Sequence, residues 1–162
     1  MTISEIMRRM IALPDNTVHD VEHLLKVWGY ARTIGELEGL DARALRVLEI
    51  AAIVHDIACP SLRERFGSAN GKRQEEEGPA MAAAFLGDLG LPRDEIDRVC
   101  FLVGHHHTFD HIDGPDWQIL LEADYLVNAA ESAYSEANIR SFARTICRTR
   151  AGRALFSAIY HV

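Results

Sequence analysis

Along most of this chain apolar residues recur at intervals of three and four, the period of a helix with one buried face, and strand-like alternation is nearly absent. The pattern predicts a short helix over about Ser4–Ala12 that stops before Pro14. A second starts with Asp15 or Asn16 as N-cap and runs to about Glu38, where Gly39 stops it. Asp41 caps a third, ARALRVLEIAAIVHDIA, and residues 59–73 read as a loop holding at most one helical turn. A fourth helix covers Gln74 to Leu89, with Pro79 either kinking it or marking its true start. Pro92 lies in the first turn of a fifth, which ends in His105, His106 and His107. Residues 108–114 form a turn-rich loop, Pro115 opens a sixth helix, and the tail from Glu136 makes one helix or two, interrupted near Gly152. The expected fold is all-α: one domain over residues 1–162, a bundle of about seven helices.

Four of these helices carry a titratable group on the apolar stripe. His23 lines up with Val27 and Ile34, and His55 with Leu48, Ala51 and Ala52. His106 lines up with Val99, Leu102 and Val103, and Asp124 with Trp117, Leu120 and Leu121. Asp56 follows His55 at a helix end, where both side chains can point the same way. A single buried histidine is ordinarily a hydrogen-bonded core residue. Four such interruptions around one point are harder to place, because imidazoles and carboxylates are costly to bury uncompensated. A divalent cation resolves the charge, and a mixed nitrogen and oxygen donor set suits manganese, iron, cobalt, nickel or zinc better than calcium or magnesium.

The order His23, His55-Asp56, Asp124 resembles the HD-domain superfamily of metal-dependent phosphohydrolases. HDVEHLLKVWGYA looks like that superfamily's first helix, with His23-Leu24-Leu25-Lys26-Val27 in place of its H-x-x-[RK]-V pattern. AAIVHDIA looks like the signature dyad and LLEADYLVN like the closing aspartate helix. The likeness covers about residues 16–131, with the helices of residues 135–162 expected to pack on that core. It implies a helical bundle with His23, His55, Asp56 and Asp124 as the ligand set. Members with two metals add a histidine on the helix after the dyad and a His-His pair on the next. This chain has GHHH in the second place, with His106 best aimed inward and His105 or His107 as its partner. In the first place it departs, offering Gln74, Glu75, Glu76 and Glu77 instead. Glu77 could be a ligand or a general base, with Gln74 in support. The same run also reads as an acidic, solvated first turn that suits the helix dipole. The third histidine, His107, is expected on the surface.

Composition narrows the function further. The net charge of −7, from 17 basic and 24 acidic residues, argues against a general nucleic-acid surface but leaves room for a small phosphorylated ligand. Three cysteines without CxxC spacing read as free thiols. With no signal-peptide pattern and no apolar run near the roughly 18 residues of a membrane span, the expected location is cytoplasmic. The expected activity is hydrolysis of a small phosphate ester, with nucleotides among the candidates and one or two metal ions as cofactor. A bound divalent metal lowers the pKa of water and polarises a phosphoryl oxygen, and His105 or His106 could bind the phosphate or protonate the leaving oxygen. Lys72 and Arg73 are the chosen phosphate cations, ahead of Arg63, Arg65 and Lys26. Asn128, one turn after Asp124, is a candidate to support that carboxylate. Two other readings stay open: a diiron oxygenase of the same superfamily, and a non-catalytic metal- or nucleotide-binding domain. The tail helices could close the core or form a homodimer.

Overall fold

The structure is a computed structural model that describes residues 1–162. Nine helices follow one another: α1 (Ile3–Ile11), α2 (Val18–Leu37), α3 (Ala42–Val54), α4 (Cys59–Phe66), α5 (Gly71–Gly87), α6 (Arg93–Val103), α7 (Pro115–Glu131), α8 (Glu136–Thr145) and α9 (Arg150–Tyr160). The all-α expectation holds, and the count rises from about seven to nine because two segments differ. Residues 59–66 form a helix rather than a loop: Pro60 sits in the first turn, where its missing N–H costs nothing, and Gly67 closes the end at φ +73°. The tail breaks at residues 146–149, not at Gly152, which lies inside α9. Thr149 caps that helix through the Gly152 N–H.

Side-chain caps set most of the starts. Thr17, rather than Asp15 or Asn16, caps α2, its hydroxyl accepting from the Asp20 N–H while Asp20 accepts from the Thr17 N–H. Asp41 caps α3 and Asn70 caps α5. Pro79 does not interrupt α5, which runs through it.

Two helices form the interior. α3 is buried from Val47 to Val54, and α7 from Asp116 to Asp124 without a break. Apolar residues therefore lie on all sides of both helices, and the polar ones buried among them, such as Glu49, Gln118 and Glu122, are hydrogen-bonded. α2 packs against both α3 and α7, α6 lies on α3, α5 lies on α6, and α9 closes over α7 and α2. The C-terminal ends of α3 and α6, the middle of α7 and the N-terminal half of α2 meet at one place.

Candidate metal centre

His55 is the C-cap of α3, so the first turn after that helix's buried stretch carries the dyad. Its Nδ1 lies 2.9 Å from the Ala52 carbonyl oxygen. A carbonyl only accepts, so Nδ1 holds the proton and Nε2 is left as a lone pair. His23, the first buried residue of α2, is held the same way: its Nδ1 donates to Glu131 Oε2 at 2.8 Å. His106 donates from Nδ1 to the Val103 carbonyl at 2.7 Å. Three imidazoles are thus fixed with Nε2 turned inward. Such outer hydrogen bonds orient a histidine ring and raise its basicity as a ligand.

The inward atoms converge. His23 Nε2 stands 3.3 Å from His55 Nε2, 3.2 Å from Asp124 Oδ1 and 3.6 Å from Asp56 Oδ2. His55 Nε2 stands 3.5 Å from Asp124 Oδ1 and 3.6 Å from Asp56 Oδ1. Ligands about 2.0–2.2 Å from a shared ion stand roughly 2.8–3.6 Å from one another. The four residues fit a divalent cation on spacing as well as on donor type. His55 is fully buried and His23 and Asp124 nearly so, while the Asp56 side chain keeps 32% of its surface exposed. The open edge of the cluster is therefore at Asp56.

The electrostatics match. Burial opposes a charged imidazole at His23, but the Asp124 hydrogen bond and the charge of Asp56 outweigh it and raise the pKa to about 9. Burial likewise opposes ionisation of Asp124 and Asp56; the surrounding histidines hold both carboxyls below their ordinary range. Without a cation, protons neutralise the cluster. Asn128, as placed, donates to Asp124 Oδ1 at 2.8 Å. Beside them Cys59 is a buried thiol, pushed up by burial and by Asp56, and stays protonated.

A second group lies across Asp56. His106 Nε2 is 3.4 Å from Asp56 Oδ1 and 3.1 Å from Gln74 Oε1. Gln74 donates its amide N–H to the Ala69 carbonyl, which fixes the amide oxygen toward the histidines, and His107 donates from Nε2 to that oxygen at 2.8 Å. Asp56, His106 and His107 could hold a cation together. His107 is thus part-buried beside the cluster rather than on the surface, and burial together with His106 lowers its pKa to about 4. Gly71 permits the approach, since a Cβ there would meet the His107 ring at 2.7 Å.

The structure leaves several other sequence candidates outside the cluster. His105 turns away, its Nδ1 donating to the Phe101 carbonyl and its ring stacked on Phe101 at 4.1 Å. Glu77 pairs with Arg65 at 2.5 Å and does not face the histidines. Lys72 extends into solvent beside Glu76, and Arg73 lies over the Phe66 ring at 3.9 Å. Neither cation is brought to the cluster. Two supporting carboxylates escaped the sequence reading. Glu131 holds His23 and also accepts from Lys26 at 3.1 Å; its signal was its place seven residues after Asp124, on the same helical face. Glu75 accepts from the His107 N–H and the Thr108 hydroxyl, and nothing in the acidic run singled it out.

The HD domain family model matches residues 20–161, and the chain belongs to that family. The fold is similar to the crystal structure of a predicted HD superfamily hydrolase from an uncultured Thermotogales bacterium. The identity is 25%, the TM-score is 0.68, and the match covers 98% of this chain and 83% of that one. No curated protein matches the chain. No helix is long and apolar enough to cross a membrane.

Proposed function

We propose that this protein is a metal-dependent phosphohydrolase that cleaves a small phosphate ester, with nucleotides among the candidate substrates. The observation that carries the reading is the convergence of two Nε2 lone pairs and two carboxylates within coordination spacing, open to solvent only at Asp56. The HD family membership and the hydrolase neighbour support it.

A divalent transition metal, when bound, supplies an acidified water and polarises a phosphoryl oxygen. His23, His55, Asp56 and Asp124 would hold it, with the rings oriented by Glu131 and the Ala52 carbonyl. Asp56, at the open edge, orients the attacking water. As the water oxygen bonds to phosphorus and releases a proton to solvent, the ester P–O bond breaks and the leaving oxygen takes a proton in turn. His106, within reach of Asp56 at that edge, is placed to bind the phosphoryl group or deliver this proton. The Gln74 amide oxygen occupies the space between His106 and His107, which favours one ion over two and weighs against a diiron oxygenase.

A panel of phosphate monoesters and diesters, nucleotides included, tests the proposal. Phosphate or alcohol release that stops with a chelator and returns with added manganese, iron, cobalt, nickel or zinc is the expected result. Metal-loaded protein that turns over no ester contradicts it.

A further inference from the structure

A phosphoryl group at the open edge of the cluster needs a cation there, and neither Lys72 nor Arg73 is brought to it. The edge is Asp56, and the chain that leaves Asp56 goes directly into α4. Cys59 and Arg63 lie one turn apart on that helix, so they share a face. Cys59 is buried at the start of that face, three residues after Asp56, and Arg63 follows it one turn on. Arg63 Nη2 reaches Asp20 Oδ2 at 2.6 Å, and Asp20 lies one turn before His23 on α2. The guanidinium therefore spans the gap between the dyad end of α4 and the His23 turn of α2, with 38% of its side chain exposed. His19, largely exposed and stacked over His23 at 6.3 Å between ring centres, lies on the same turn of α2.

We propose that Arg63 is the anion-binding residue of this site, exchanging its Asp20 partner for the non-bridging oxygens of a single terminal phosphoryl group. This rests on the phosphohydrolase reading above and names the substrate end it recognises: a phosphate monoester. The planar guanidinium suits such oxygens because two parallel N–H groups can be donated at once. Asp20 keeps the guanidinium oriented when no anion is present. Asp20 also closes the cap of α2 on Thr17, so it stays in place when Arg63 leaves.

The test uses the full chain loaded with manganese and inorganic phosphate as the probe, with affinity read by calorimetry and bound metal by elemental analysis. Arg63→Gln is expected to keep its metal and its melting temperature within a few degrees, and to bind phosphate roughly 10- to 100-fold more weakly. Arg63→Lys recovers part of the loss. Asp20→Asn, which breaks the same ion pair but leaves the guanidinium, binds phosphate as tightly as wild type or more tightly. Equal phosphate affinity in wild type and Arg63→Gln overturns the assignment and leaves the phosphohydrolase reading standing. Equal weakening in Asp20→Asn and Arg63→Gln also overturns it, since the ion pair alone would then matter. Metal-loaded wild type that ignores phosphate overturns both. Wild type that takes up no metal yet loses phosphate with Arg63→Gln overturns the metal-dependent reading and supports Arg63.

Discussion

His23 and His55 point their Nε2 atoms at each other across 3.3 Å, with the proton of each ring committed to the opposite nitrogen. Two neutral imidazoles in this posture repel. The arrangement is stable only with a positive charge between or beside the rings, and Asp56 and Asp124 face the same point with negative charge. A proton can serve, held on His23 by the Asp124 hydrogen bond and the Asp56 charge that raise it to about 9, but a divalent cation satisfies all four groups at once.

That relationship makes Glu131 testable, since it alone fixes the His23 ring by its Nδ1 proton. Glu131→Gln is expected to fold normally and to lose roughly 10- to 100-fold in metal affinity. Competition against a chromophoric chelator reads this directly. Unchanged affinity contradicts the orienting role.

His105 and His107 are predicted to separate. His105→Ala removes a ring packed on Phe101 and Trp117 and should cost about 1 kcal/mol in denaturant unfolding, with bound metal and turnover retained. His107→Ala removes the partner of Gln74 beside Asp56 and should lower turnover while the primary metal stays. The opposite pattern would place His105 in the site.

Gly78 tests the seat of His106. A Cβ at this buried position would stand 2.8 Å from Val103 Cγ1, and the Val103 carbonyl anchors His106. Gly78→Ala gains up to about 1 kcal/mol of helix propensity but overpacks the α5–α6 contact at a cost of about 1–3 kcal/mol. Net destabilisation in urea together with reduced turnover is expected. A more stable, fully active variant contradicts the packing account.

Acid sensitivity should have a component far from the metal. Arg98 of α6 pairs with Asp113 in the loop and Asp116 in the first turn of α7, tying those elements together. The Arg98 hydrogen bond holds the Asp113 carboxyl below its ordinary value. A carboxyl lowered in the folded state contributes stability that is present above about pH 4 and is lost as pH falls through the folded value. Arg98→Gln is therefore expected to be less stable than wild type at pH 7, with the difference shrinking below pH 4. Thermal melts across pH 3–7 measure it, and a difference that grows on acidification contradicts the assignment.

The sequence revealed His23, His55 and Asp124 as candidates because each interrupts an apolar stripe, and Asp56 as the neighbour of His55 at a helix end; that contrast survives without coordinates. Glu131 stood at a helix end, where a glutamate looks solvated, and only the fold shows it against His23. α4 was hidden because CPSLRERF has few apolar residues to mark a buried face, although Pro60 suits its first turn. Gly152 looked like an interruption, yet it is a close approach: any Cβ there would collide with Glu122, the buried carboxylate that accepts from the Arg148 and Thr149 N–H groups. Such long-range contacts leave no periodic trace. Gln74 and Glu77 share a helical face by spacing, but the Arg65 pair draws Glu77 toward α4 while Ala69 fixes Gln74 on the histidines.

The central claim is that the four converging groups hold the ion on which turnover depends. Elemental analysis of wild type and Asp56→Ala, purified without chelator and assayed for phosphate release on the same samples, tests it most directly. The account predicts about one transition-metal ion per chain in wild type, none in the variant, and release that disappears with the metal. Wild-type protein that arrives metal-free and takes up no manganese, iron, cobalt, nickel or zinc would contradict it and return His23 and His55 to the core.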